Sequence, residues 1–280
     1  MIRFLAPLVV LALAGPAAAE TPYLLGRLAG PPTRIVTIAP SLTEVLLDLG
    51  EGARLVGVSR YDDDPAVKAL PRVGGFLDPS PEAILGLRPD LVLAAPSPGN
   101  RGPVEGLARL GVPVLVLPLH GVPEIVASVR EVAKVLGVPA KGNLLVGRLE
   151  SGIARVRATT APLPKKRVLV VYGWRPLVVA GPGSFADSLL ADAGAVNVAA
   201  GSSGEYPTFS AERLLGAAPD LIVDATGNHG GEAPPPGITS RIVPVTGTAL
   251  FHPGPRTFVA LEELARLIHP EAFGAGGSSR

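Results

Sequence analysis

Four imidazoles and one glycine-rich loop are the residues of this sequence that could do chemistry without a partner protein. The histidines are His120, His229, His252 and His269. His120 follows a β-rich run, His229 follows the run Leu221 to Asp224, and His252 lies in a loop. Three imidazoles delivered from strand ends could hold zinc or manganese. No short ligand spacing accompanies them, and scattered loop histidines ordinarily just titrate in water, so no metal site is expected. The loop Gly181-Pro182-Gly183-Ser184-Phe185-Ala186 has the spacing of a dinucleotide fingerprint. Its proline disturbs the close backbone approach such a loop needs, and no acidic ribose partner stands at the expected distance. It reads instead as a turn into a helix from Ser184 to Asp192. There is no nucleophile elbow, no Ser-His-Asp order and no cysteine thiol. These absences point to a binding protein and not to an enzyme.

Two glutamates carry more information. The segment Ser80 to Leu93 returns as Ser210 to Val223 at a constant offset of 130. Serine, glutamate, leucine, glycine, proline, aspartate and leucine are kept between the copies, and the positions between them are mostly apolar. Glu82 and Glu212 fall at equivalent places, each two residues after a serine that reads as a helix cap. A carboxylate in a first helical turn favours the helix dipole by about 0.3–1 kcal/mol. A duplicated unit implies two similar lobes, and the space between lobes is a favoured ligand site.

The elements that must position these residues alternate between strand and helix. Arg34 to Ala39, Leu55 to Val58, Leu91 to Ala95 and Val112 to Leu117 are β-rich runs. Ser41-Leu42-Thr43-Glu44 reads as a capping box, with Leu42, Val45, Leu46 and Leu49 as the apolar face of a helix stopped by Gly50. Ile125, Val129, Val132 and Leu136 mark another helix, closed by Gly137. Short β-branched runs separated by helices predict parallel sheets covered on both faces. From Asn143 to about Ala158 a helix has no following strand; its apolar stripe is Leu145, Leu149, Ile153 and Val156. A second series begins at Arg167-Val168-Leu169-Val170-Val171. The expected fold is therefore α/β, with two Rossmann-like lobes joined by one long bridging helix and a ligand cleft between them. The division is residues 20–140 for the first lobe, 141–161 for the bridge and 162–272 for the second lobe. Residues 273–280 and Gly227 to Pro236 are expected to be flexible.

Met1-Ile2-Arg3, the apolar run Phe4 to Ala14 and Ala17-Ala18-Ala19 before Glu20 form the pattern of a secretory signal peptide, residues 1–19. The ~260 residues beyond it suffice for two lobes. No later run has eighteen consecutive apolar residues, so no membrane insertion is expected. Without cysteine the chain can form no disulfide and accept no lipid at the cleavage site. A net charge of +1 gives no case for nucleic acid or an anionic membrane.

Residues 81–93, residues 34–44 and Leu55-Val56-Gly57-Val58-Ser59-Arg60-Tyr61 resemble the signatures of the solute-binding family of ABC importers that takes cobalamin, haem and iron-siderophores. The resemblance covers nearly all of the chain beyond residue 19. It implies two α/β lobes on a stiff single-helix connector, with little motion on binding. The cobalamin-binding members are the nearest in pattern. The loop from Val58 through Tyr61 to Pro65 matches the one whose tyrosine touches the corrin, and Phe76 and Tyr206 fall where those members carry tryptophans. Tyr172 lies close to a second-lobe aromatic position. With Trp174 and His252 these residues form the expected ligand-binding set, since flat aromatic faces suit a large, partly apolar macrocycle. Two departures stand out. Ala95 replaces a further tryptophan of the cobalamin binders. The loop Val73-Gly74-Gly75-Phe76 lacks the tyrosine that ligates iron in haem binders. Siderophore binders supply arginines, for which Arg60 and Arg175 are the candidates here. The resemblance further implies that Glu82 and Glu212 are lobe-top knobs that pair with arginines of the transporter's membrane subunits. The expected partners are a corrinoid ligand and the permease and ATPase complex of an inner-membrane ABC transporter, approached by a monomer free in the periplasm. No resident cofactor is expected, the bound cobalamin being cargo.

Overall fold

A computed structural model describes residues 20–227, 233–245, 250 and 252–273. The leader pattern 1–19, His229 within 228–232, and the tail 274–280 lie outside the described residues.

The first sheet contains β1 (Tyr23–Leu25), β2 (Ile35–Thr37), β3 (Leu55–Gly57), β4 (Leu91–Ala94) and β5 (Val114–Val116), in the order β1-β5-β4-β2-β3. Four strands are parallel, and β1 joins the β5 edge antiparallel. β2, β4 and β5 are buried throughout, which explains their unbroken apolar runs. Helices α1 (Pro40–Asp48), α2 (Pro81–Gly86), α3 (Arg101–Arg109) and α4 (Val122–Val135) cover this sheet. After α5 (Pro139–Thr160) comes a second sheet of β6 (Lys166–Trp174), β7 (Leu177–Val179), β8 (Ala195–Asn197), β9 (Leu221–Asp224) and β10 (Arg241–Pro244). Its order is β10-β9-β6-β7, with β8 also paired to β6. Helices α6 (Phe185–Leu190), α7 (Ala211–Ala217) and α8 (Thr257–Ile268) accompany it.

The repeat is structural as well as sequential. Ser80 and Ser210 each accept a backbone N–H of the following helix, from Ala83 at 3.2 Å and from Arg213 at 3.1 Å. Arg88 and Ala218, one per copy, leave those helices in the left-handed region at φ 49° and 42°, alone in this among non-glycine described residues. Asp90 and Asp220 then receive the amides of Arg34 and Arg167 at 2.9 and 2.7 Å. The guanidinium groups of the same two arginines donate to Leu87 and Ala217 carbonyls, satisfying orphan oxygens at the helix ends.

Two sequence expectations change. α1 has no capping box: Ala39 is its N-cap and makes no side-chain bond. Pro40 takes the first helical position, where its missing N–H costs nothing, which moves Ser41 inside the helix and buries it. The bridging helix starts at Pro139, ahead of both Asn143 and residue 141, for the same reason, and runs to Thr160. At 1.5 Å per residue its 22 residues span about 33 Å.

α5 lies between α4 and α8. Leu145, Val146, Leu149, Ile153 and Val156 are buried along it. A Cβ on Gly152 would stand 2.7 Å from the Cβ and ring of Phe258, whereas one on Gly147 would meet nothing. The same substitution should therefore have opposite signs at two places on one helix. Gly152→Ala is expected to cost about 1–2 kcal/mol through overpacking. Gly147→Ala should gain about 0.5–1 kcal/mol from helix propensity. Urea unfolding of the two variants measures both, and equal shifts would show that α8 does not rest on Gly152.

Candidate functional site

Parallel strands deliver their carboxyl ends to one side of each sheet, and there the two lobes enclose a cleft of about 1050 Å³. Tyr61 and Phe76 line it from the first lobe, and Tyr172, Phe185 and Tyr206 from the second. His120, His252, Asp78 and Glu205 add polar atoms to a wall otherwise made largely of proline, leucine and alanine.

Local chemistry places each ring. β3 leads into Ser59, whose hydroxyl accepts the Tyr61 amide at 3.2 Å, while the Arg60 amide donates to Gly74 O at 2.8 Å. Gly74 has φ +98°, and a Cβ there would lie 2.6 Å from the Asp78 carbonyl. A Cβ on Gly75 would lie 2.8 Å from Cε2 of Tyr61, so this glycine makes room for the ring. Asn100, buried, donates its side-chain amide to Phe76 O at 2.9 Å and Ala95 O at 3.0 Å, tying the Phe76 loop to the end of β4. In the second lobe the Gly181 amide donates to Glu205 O at 2.8 Å and holds the Tyr206 loop. Tyr206 meets Tyr172 edge to face, with centroids 5.6 Å apart and planes at 71°. Burial pushes the Tyr172 phenol up, with the Tyr206 phenol adding to the shift, so Tyr172 stays a neutral hydroxyl. Tyr61 and Tyr206 remain 60% and 52% exposed, their faces open to the cleft.

Of the aromatic residues singled out from sequence, Trp174 is not in the cleft. It is buried with Leu177, Phe209 and Leu214, and its indole N–H donates to Asp224 Oδ2 at 3.1 Å. Strand alternation would put Tyr172 and Trp174 on one face, but the pairing of β6 with β7 shifts register between Val171 and Gly173. That irregularity turns Trp174 into the core. Phe185 and His120 are cleft residues that the ligand-binding set omits. Phe185 opens α6, capped by Ser184, and the turn-into-helix signal at Gly183-Ser184 would have located it. Arg60 is committed to an ion pair with Asp78 and lies over the Tyr61 ring at 5.7 Å.

Of the described histidines, His120 and His252 line the cleft and His269 does not. His269 is buried against the second sheet and donates from Nε2 to Gly194 O at 3.0 Å. Among the described residues no three His, Asp or Glu side chains are placed to hold a metal ion. His252 instead faces Glu44 of α1, Nδ1 to Oε1 at 3.5 Å. Nearby, Arg256 meets Asp48 of α1 at 3.0 and 3.3 Å. Asp62, next to Tyr61, is buried and its Oδ2 has no hydrogen-bond partner. Burial pushes its carboxyl up to about 6, although Thr43, the Ser59 backbone, Arg72 and His252 pull the other way.

A family model described as periplasmic binding protein matches residues 35–232. The vitamin B12-binding protein of Pectobacterium atrosepticum is 28% identical over 247 residues, 83% of this chain and 87% of that protein. Among solved structures, the periplasmic heme-binding protein from Roseiflexus sp. RS-1 in apo form aligns with TM-score 0.77 and 28% identity, covering 85% of this chain and 98% of that one. The periplasmic vitamin B12 binding protein of Vibrio cholerae aligns with TM-score 0.76 and 24% identity, covering 87% and 98%.

The raised carboxyl of Asp62 makes a prediction about pH. The folded chain holds this proton more tightly than the unfolded chain, so the group stabilises the fold fully below about pH 4. That contribution is lost as pH rises through about 6. Relative to Asp62→Asn, the native protein should therefore lose about 1–2 kcal/mol between pH 4 and pH 7. Chemical denaturation of both proteins across that range measures the difference; a constant difference would place Asp62 in ordinary contact with water.

Proposed function

The chain belongs to the periplasmic binding protein family, and from that premise we propose that it holds a corrinoid, cobalamin, between its lobes and delivers it to an inner-membrane ABC importer. The observation that carries this reading is the cleft wall, where five aromatic rings from two lobes surround about 1050 Å³. That volume is at the upper end of ordinary ligand pockets and far beyond what a bare ion needs. Flat rings on both sides suit a broad, partly apolar macrocycle. A vitamin B12-binding relative that aligns with 83% of the chain supports the same ligand class. The protein acts by binding and release, as a monomer in the periplasm after its leader is removed, and carries out no covalent chemistry. No helix among the described residues is long and apolar enough to cross a membrane.

Haem is the second reading, favoured by two imidazoles, His120 and His252, in the same cleft. Phe76 counts against it because a phenyl ring offers iron no ligand atom. Titration calorimetry with cobalamin, haem and ferric siderophores separates the readings, and cobalamin is the ligand expected to bind. Tyr61→Ala combined with Tyr206→Ala should weaken cobalamin binding by about 2–4 kcal/mol through loss of two stacking faces. Unchanged binding in the double variant would remove both rings from the site.

Delivery needs a docking surface on each lobe. Glu82 and Glu212 are exposed, one per copy of the repeat, at the starts of α2 and α7. The Ser210 hydroxyl and the backbone amide of Glu212 hold the Glu212 carboxyl below its usual range, keeping it anionic. Two like-charged knobs can register a pseudo-twofold protein on a twofold transporter through charge-assisted pairing with arginines. Glu82→Ala with Glu212→Ala should leave ligand affinity intact and abolish stimulated uptake in vesicles carrying the cognate transporter. Equal uptake by both proteins would reduce the glutamates to helix-start residues.

A further inference from the structure

The interlobe cleft is not a closed room. A second chamber of about 880 Å³ lies within the first lobe at the carboxyl ends of β4 and β5, between β1 and α3. The two spaces share a wall: Ala95, Pro96, Ser97, Pro98 and His120 line both. Ala95 is the smallest of these and stands at the end of β4, where the two spaces adjoin. Asn100 fixes this junction, because the same amide that holds Phe76 also holds the Ala95 carbonyl.

The chamber differs in character from the cleft. Tyr23 is its one aromatic residue, and Thr21 and Ser97 bring hydroxyls. Its one arginine, Arg101, is already paired with Glu105 at 2.8 Å, and Glu20 adds a second acid. A substituent bearing several negative charges would meet two carboxylates, Glu20 and Glu105, against the paired Arg101 and, with the leader removed, the α-amino group of Glu20. A substituent with sugar hydroxyls, an aromatic base and at most one diester charge would find hydroxyls, one ring face and one guanidinium.

We propose that this chamber is a second subsite of the cleft, and that it receives a nucleotide-like arm carried by the macrocycle, entering past Ala95. The assignment rests on the corrinoid reading of the main cleft. It divides recognition into two parts: aromatic rings take the ring system between the lobes, and the first lobe alone takes the appendage. A ligand that fills both spaces is selected over one that fills only the cleft, since it alone adds contacts in the chamber.

Calorimetric titration with cobalamin and with cobinamide, the same macrocycle without its nucleotide arm, tests this. The native protein should bind cobalamin at least tenfold more tightly than cobinamide. Arg101→Ala, an exposed residue that lines the chamber and not the cleft, should weaken cobalamin about fivefold and leave cobinamide within about twofold. Tyr23→Ala, at a half-exposed residue, should weaken cobalamin selectively by about fivefold. Equal binding of both corrinoids by the native protein would overturn the subsite while leaving the corrinoid reading in place. So would parallel losses for both ligands in both variants. Binding of neither corrinoid would overturn the corrinoid reading itself and the subsite with it.

Discussion

Everything in this molecule depends on α5 having to bury two sides at once. Leu145, Leu149, Ile153 and Val156 join a continuous core that also holds β2 and β4 residues of the first lobe and β6 and β9 residues of the second. Domains ordinarily have cores of their own, with the boundaries between them in exposed linkers. Here the connector is itself core, and Gly142 and Gly152 let α4 and α8 approach it closely. A lobe cannot swing far without pulling α4 or α8 off α5, and the exposure of that stripe would cost several side chains' worth of burial. The cleft is consequently formed before any ligand arrives. Affinity then comes from contacts that need little ordering on binding.

The polar contacts that cross between lobes follow the same line. His252 and Arg256, on the segment leading into α8, reach Glu44 and Asp48 on α1. Each pair is partly exposed and worth little by itself. Their effect is positional: they fasten the segment that carries Leu250, His252 and Pro253 to the cleft wall. Asp62 sits behind this rim, its unpaired oxygen buried beside Tyr61. A buried carboxyl without a full set of partners is costly in a fold that otherwise satisfies its polar groups. Here it lies beside the most exposed ring of the first-lobe wall.

Much of this was legible in the sequence wherever local chemistry is self-contained. A serine cap, a Pro-Asp pair and a β-branched run each specify their own conformation, so the 130-residue repeat, the sheets and the bridging helix could be read directly. The aromatic positions Tyr61, Phe76 and Tyr206 reach one cleft because each follows a strand end or a glycine turn, and Tyr172 joins them from the carboxyl end of β6. What could not be read depends on strand pairing or on a neighbour that overrides a local signal. Trp174 is turned inward by a register shift against β7, a strand of only three residues with no periodicity to announce it. Ser41 and Glu44 have the spacing of a capping box, but Pro40 takes the start of α1 and leaves Ala39 as its cap. The side chamber was invisible for a similar reason, since it needs β1, another three-residue strand, to add itself to the edge of β5.

On the docking role proposed for Glu82 and Glu212, the duplication would let recognition of ligand and of transporter share one end of the molecule. In each copy a helix runs back against the parallel strands, so it begins at their carboxyl ends, where the cleft opens. Asp78 lines the cleft two residues before the Ser80 cap, and Tyr206 lines it four residues before the Ser210 cap. Glu82 and Glu212 stand one step beyond those caps. The far ends of the same helices are locked by left-handed residues and by aspartate and arginine clamps onto the strands. A helix fixed at its far end and joined at its near end to a cleft loop can transmit a small loop shift to its first turn. With α5 opposing large lobe rotation, this is the motion by which the proposed docking glutamates would sense that the cleft is filled.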